Sequence, residues 1–189
     1  MAVLFLGNIG SPIIEILKSH GSDVVVTSQP LDLKFMNEHL PEFVVSYGFP
    51  HIVCPEVIGH ARGNIINLHI SYLPWNRGAD PDFWSLVDDT PKGVTIHYMA
   101  AALDAGDTIV QREVVLDDDE TLGTYYEKLH NSLIELFREN WASIQNGTCP
   151  RVPQGGGGSY HRSVDKSKCI HLLSDGPDTP VRKILNAEC

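Results

Sequence analysis

The chain has 189 residues, 42% of them hydrophobic, enough for one compact α/β domain with a real core. Its 24 acidic against 14 basic residues leave a net charge of −10, which argues against a broad nucleic-acid surface, since phosphate binding needs a basic face. No apolar run approaches the roughly 20 residues that span a bilayer, the N-terminus lacks the marks of a signal peptide, and the four cysteines, Cys54, Cys149, Cys169 and Cys189, lie far apart with no C-x-x-C, which predicts reduced thiols in a cytoplasmic protein.

Residues 3–6 form a short apolar strand. The turn Gly7-Asn8-Ile9-Gly10 leads into Ser11-Pro12, which reads as an N-cap followed by proline at the first helical position. That helix is expected to reach about His20, where Gly21 stops it. The glycine turn invites a dinucleotide reading, but G-x-x-G-S lacks the third glycine of the G-x-G-x-x-G fingerprint, and a plain βα turn accounts for it better. Residues 24–27 are a second strand, 31–40 a short helix, 43–47 a third strand, and 48–58 a loop with one helical turn.

The stretch 64–78, N-I-I-N-L-H-I-S-Y-L-P-W-N-R-G, organises the rest. Ile65, Ile66 and Leu68 make it the end of a buried strand. Asn67 and His69 are two apart and so share one face, before Pro74 and Asn76-Arg77-Gly78 break the regular structure. A buried strand that ends on an amide and an imidazole suits a site at the carboxyl edge of an α/β sheet.

Residues 82–87 read as a helix and 88–91 as a turn. Residues 94–99 alternate as a strand, a loop carries Asp104, and 108–116 form a further strand with Gln111, Arg112 and Glu113 at solvent. An acidic run, 117–120, precedes a long helix over about 121–145. Asp119 is the expected cap, and Leu122, Leu129, Leu133, Leu136, Phe137 and Trp141 form its apolar face; Gly147 ends it. The four glycines in 154–159 read either as a flexible linker or as an ordered flap, and 179–186 as one helix. The division expected is 1–150 as the catalytic part and 151–189 as a short extension without a core of its own.

Taken one at a time, Asn67 reads as a turn cap, His69 as a satisfied strand-end histidine, and Asp104, before Ala-Gly, as a turn residue. Of the nine histidines, His51, His60 and His69 are nine apart with no H-E-x-x-H, so no metal site is expected. There is no G-x-S-x-G elbow and no P-loop.

Two motifs change that balance. N-L-H-x-S-x-L-P-x-x-R-G-x-x-P, from Asn67 to Pro81, and G-V-T-I-H-x-M-x-x-x-L-D-A-G-D, from Gly93 to Asp107, resemble the paired signatures of the folate-dependent formyltransferases. With S-Y-G-F-P-H-I-V-C-P-E-V-I before them, the resemblance covers most of 43–115. It implies a Rossmann-like, mostly parallel twisted sheet with helices on both faces, and formyl transfer from 10-formyltetrahydrofolate, without a metal, to a primary amine. By resemblance Asn67, His69 and Asp104 are catalytic. Acyl transfer of this kind builds charge on the formyl oxygen and must take a proton from the attacking nitrogen. Asn67 and His69 are expected to stabilise the tetrahedral intermediate, and Asp104 to assist proton transfer. The folate would be held by Pro50, His51, Ile52, Val53 and Ile58, with Met99, Ala100 and Ala101. Ser71, Tyr72, Trp75 and Arg77 would flank the acceptor.

For the acceptor the order is an amino sugar or sugar nucleotide, then an aminoacyl group on a carrier or another small amine such as glycinamide ribonucleotide. A tRNA is disfavoured, because tRNA formyltransferases carry a further C-terminal domain. A hydrolase, a folate-binding relic and a homodimer stay open. The front half is shorter than in most of the resembling family, in the part that helps shape the acceptor side. Tyr72 stands where the family has leucine, and Ile70 where it often has proline or glycine.

Overall fold

The computed structural model describes residues 1–185 and 187–189. Its elements run β1 (Ala2–Gly7), α1 (Pro12–Ser19), β2 (Asp23–Thr27), α2 (Leu33–His39), β3 (Phe43–Tyr47), α3 (Pro55–His60), β4 (Ile65–His69), β5 (Arg77–Gly78), α4 (Pro81–Val87), β6 (Gly93–Tyr98), β7 (Thr108–Glu113), α5 (Leu122–Gln145) and β8 (Tyr160–His161).

The strands of the main sheet are short runs of β-branched and aromatic residues, the types that fit a pleated buried surface. They lie in the order β2-β1-β3-β4-β6-β7. The first four are mutually parallel, and β6 runs antiparallel to both β4 and β7. Strand alternation splits the core in two. Val3 and Phe5 of β1 join α1, α4 and α5 on one face, while Leu4 and Leu6 join Leu31, Met36 and Val57 on the other. A parallel strand covered on both faces is apolar throughout rather than alternating. The chain reverses its direction of winding between β1 and β3, and the crevice that opens at such a point lies beyond the carboxyl ends of the strands.

Helix α1 starts as expected, with the Ser11 hydroxyl accepting the Ile13 N–H. Helix α5 does not start on Asp119. Thr121 is its cap: its hydroxyl accepts the Thr124 N–H at 3.2 Å, and the Thr124 hydroxyl accepts the Thr121 N–H at 2.9 Å. A hydroxyl at the cap and a second three residues on satisfy two end-of-helix donors reciprocally, which an acidic residue two positions earlier cannot do. Gln111 is also not at solvent. It is half-buried, and its amide donates to Leu73 O at 2.7 Å and to Thr95 Oγ1 at 3.0 Å.

The segment after residue 150 closes onto the same core. Leu122 N–H donates to Thr179 O, Val181 N–H donates to Glu120 O, and Cys169, Val181 and Ile184 are fully buried with α5. Residues 181–183 form a 3-10 turn, and 184–185 continue without a longer helix. The helix expected over 179–186 therefore falls short, and its last residue lies outside the described residues. The cysteine expectation is corrected as well. Cys169 and Cys189 form a disulfide, with Cα atoms 4.6 Å apart, and Cys54 and Cys149 are free. Their 20-residue separation hid this, because the tail folds back onto the 3-10 segment that carries Cys169. No helix among the described residues is long and apolar enough to cross a membrane.

Trp141 is fully buried and stands edge-on to Phe43, ring centroids 5.4 Å apart, which ties α5 to β3. Trp141→Ala should cost about 3–5 kcal/mol, and Thr121→Ala about 1 kcal/mol, both read from urea denaturation midpoints at unchanged slope.

Candidate active site

Strand β4 ends at the crevice with Asn67 and His69 on one face. Its partner β6 sets His97 opposite Asn67 and Thr95 opposite His69, so the sheet aligns an amide and two imidazoles. Asp104 arrives from the loop after β6 in the left-handed conformation, at φ +50°, which Asp tolerates better than most residues. The tight return of that loop depends on Gly106, where a Cβ would stand 1.9 Å from Tyr98 O.

The Asp104 carboxylate is buried and well supplied with donors. Gly78 N–H donates to Oδ2 at 2.9 Å, and Asn67 Nδ2 donates to Oδ1 at 3.3 Å. His69 Nδ1 stands 3.8 Å from Oδ2, and His97 Nε2 3.5 Å from Oδ1. Burial alone would raise the acid's pKa, but His69, His97 and the Gly78 N–H together outweigh it and hold Asp104 well below the usual carboxylate range.

His69 is lowered from the ordinary histidine value, chiefly by burial. Asp104 pulls it back up, while His97 pushes it further down. Its Nε2 lies 3.1 Å from Asn76 O, a carbonyl that can only accept, so Nε2 carries the hydrogen and Nδ1 is the bare nitrogen turned toward Asp104. His97 is fixed in the same way by its Nδ1–H on Tyr98 O at 2.9 Å.

Asn76 is itself fully buried at φ +56°. Its amide donates to Thr90 Oγ1 at 2.7 Å, and its backbone N–H donates to Ser159 Oγ at 2.9 Å. Ser159 follows the glycine run, which is therefore no free linker. A Cβ on Gly158 would meet Pro74 O at 2.1 Å, and Arg77 N–H donates to Ser159 O at 3.0 Å. The strap continues as β8, which pairs with β5. Gln154, just before it, donates from Nε2 to Asp104 O at 2.9 Å and to Gly106 O at 2.8 Å.

A cleft of about 610 Å³ opens over this group. Pro50, His51, Ile52, Val53, Ile58, Met99, Ala100 and Ala101 all line one side of it, together with Asn67, His69, Asp104 and His97. Ile52 is 80% exposed there, an apolar surface left uncovered in the free protein. Further lining comes from α5, with Tyr126 and His130, and from β8, with Tyr160 and His161, followed by Arg162. Ser71, Tyr72, Trp75 and Arg77 lie elsewhere. The Ser71 hydroxyl donates to Trp75 O at 2.7 Å, and Arg77 Nη2 donates to Gln154 Oε1 at 2.6 Å. Tyr72 lines a separate groove with Leu73, Pro74 and Val152, and Trp75 is 36% exposed outside the cleft. Their motif neighbourhood is that of the site, but none of the four is among the residues that line the cleft. Asn76, His97, Gln154 and Ser159 are the residues that sequence reasoning passed over. The first two sat inside the two motifs; the last two bound the glycine run, which drew attention for its glycines alone. Among the described residues no group of three His, Cys, Asp or Glu is placed to hold a metal ion.

Residues 15–139 match the family described as formyl transferase. The chain is 32% identical over 148 residues to the methionyl-tRNA formyltransferase of Clostridioides difficile (strain 630), covering 76% of this chain and 48% of that protein. It is 30% identical over 158 residues to the enzyme of the same name from Agathobacter rectalis, covering 82% and 51%. The chain thus spans about half the length of these curated relatives. Among solved structures, the formyltransferase PseJ from Anoxybacillus kamchatkensis, in complex with UDP-4,6-dideoxy-4-formamido-L-AltNAc and tetrahydrofolate, is 44% identical, with a TM-score of 0.95 and 98% of each chain covered. A 4-N formyltransferase from Francisella tularensis, 24% identical with a TM-score of 0.74 over 88% of this chain and 78% of that one, shares the fold.

Removing the Asp104 charge in Asp104→Asn takes away the effect that holds the His69 pKa up. The His69 ring resonances should then titrate at lower pH than in the wild type, followed by NMR. In the wild type the folded value lies below the unfolded value of about 6.5. The stability His69 contributes is thus full above that pH and lost as pH falls toward the folded value.

Proposed function

This chain belongs to the formyl transferase family, and on that footing we propose that it moves a formyl group from 10-formyltetrahydrofolate to the primary amine of a nucleotide-linked amino sugar. The observation that carries the reading is the likeness, over 98% of both chains, to a formyltransferase held with tetrahydrofolate and a formamido sugar nucleotide. The cleft fits the donor. Its apolar side, with Phe49, Ile52, Val53, Ile58 and Met99, suits a flat ring, and the buried polar group lies beside it.

The bound folate supplies an activated formyl carbon. This chain's residues do the rest. Asn67 Nδ2 makes only long hydrogen bonds, 3.3 Å to Asp104 and 3.4 Å to His97, and can turn one N–H onto the formyl oxygen as charge builds there. His69 is neutral and bare at Nδ1, so it takes the proton of the attacking amine. The charge it then carries offsets that on the oxygen, and the ionised Asp104 stabilises it. His69 then gives that proton to N10 as the carbon–N10 bond breaks, leaving the formamide and tetrahydrofolate, and Asn76 O holds the ring by Nε2 throughout. In this reading residues 1–150 carry the chemistry, and the extension, through β8, finishes the acceptor wall. The methionyl-tRNA formyltransferase relatives favour a second reading, an aminoacyl acceptor.

The test is folate release from 10-formyltetrahydrofolate with UDP-4-amino-4,6-dideoxy-L-AltNAc, with methionyl-tRNA, and with neither. Release should require the sugar nucleotide, and His69→Ala should lower kcat by about 10²–10⁴. Release with methionyl-tRNA alone would replace the sugar reading with the aminoacyl one, and equal release without any amine would make the protein a hydrolase.

A further inference from the structure

One half-buried pair in the cleft has no part in this chemistry. Tyr47, the last residue of β3, lines the cleft one strand away from Asn67, and its hydroxyl is paired with His130 Nδ1 on α5. Tyr126, one helical turn before His130, packs on the same imidazole with ring centroids 4.1 Å apart. His130 Nε2 is fully buried and has no partner among the described residues.

These contacts fix where the hydrogens go. Burial lowers the pKa of His130, so the ring is neutral and has one hydrogen to place. On Nε2 that hydrogen would be an orphaned buried donor, the rarer and costlier defect. On Nδ1 it is donated to the Tyr47 oxygen, so Nδ1 carries it. The Tyr47 phenol stays protonated, because burial and then the neighbouring Tyr126 push its pKa up. Its hydrogen cannot go back to an Nδ1 that is already protonated. It is left to point into the cleft that Tyr47 lines.

We propose that the Tyr47 O–H is a preset donor for an oxygen on the acceptor's sugar ring, a hydroxyl or an amide carbonyl near the amine, and that His130 holds it in that direction. The proposal rests on the sugar-nucleotide reading above. A ligand oxygen there completes a chain of hydrogen bonds from His130 through Tyr47, and sugars lacking it would bind less well while the reacting groups stay intact.

The experiment is initial-rate kinetics with 10-formyltetrahydrofolate and UDP-4-amino-4,6-dideoxy-L-AltNAc, varied independently, on the wild type, Tyr47→Phe, His130→Asn and His130→Leu, with Tm recorded for each. Tyr47→Phe removes one oxygen and keeps the ring. It should raise KM for the sugar nucleotide at least tenfold and leave KM for the folate within twofold. His130→Asn keeps a donor near the Nδ1 position and should stay close to the wild type, whereas His130→Leu should approach Tyr47→Phe. A sugar-nucleotide KM within twofold of the wild type in Tyr47→Phe overturns the inference and leaves the function standing. So does a parallel rise of both KM values with a lowered Tm, the mark of a merely structural pair. A wild type that does not formylate the sugar nucleotide overturns the function and this inference together.

Discussion

The structure depends on keeping one carboxylate ionised out of water. Asp104 has little exposure, and an unpaired charge in such a place costs several kcal/mol. Its donors come from separated parts of the sequence, Gly78 from the end of the first motif and Asn67 from β4, and His97 of β6 stands 3.5 Å away. The loop that carries it must adopt a left-handed turn and pass close to Tyr98, so its shape follows from the need to deliver the acid to those donors. Once there, it sets the state of its neighbours. It holds Asn67 by one amide hydrogen and faces the one bare nitrogen of His69.

This placement would be loose without the segment after residue 150. Gln154 bonds the backbone on both sides of the Asp104 turn, Ser159 clamps Asn76, and Asn76 in turn fixes the His69 tautomer. Each link acts through a backbone carbonyl or a hydroxyl, and together they turn a flexible glycine run into a strap. The extension reads as an appendage in sequence. Its 3-10 turns share the α5 core, and its β8 strand supplies part of the cleft wall.

The fold was legible because its strands are near-continuous apolar runs and its long helix has a clear stripe. Strand alternation alone placed Asn67 and His69 on one face, and the paired motifs gave the family, in accord with the family match over 15–139. The features that stayed hidden are those set by tertiary contact. Gln154 and Ser159 carry no local signal, since their partners lie roughly fifty and eighty residues away. Arg77 sat in a motif, but its bond to Gln154, far along the chain, left no mark in the loop's local sequence. Gln111 read as solvent-facing because a polar residue on an edge strand usually is, while here Leu73 O and Thr95 demanded a donor. The Cys169–Cys189 pair was hidden because spacing along the chain carries no information on a tail that folds back.

The central claim is that Asn67, His69 and Asp104 act as one unit in moving the formyl group. The most direct test is the single-turnover rate of formyl transfer, with enzyme in excess over both substrates, for His69→Ala, Asp104→Ala and the double variant. Groups that act as a unit are strongly non-additive, so the double variant should be no slower than the slower single one, to within about threefold. Losses that multiply, or a rate that survives His69→Ala, would contradict the account.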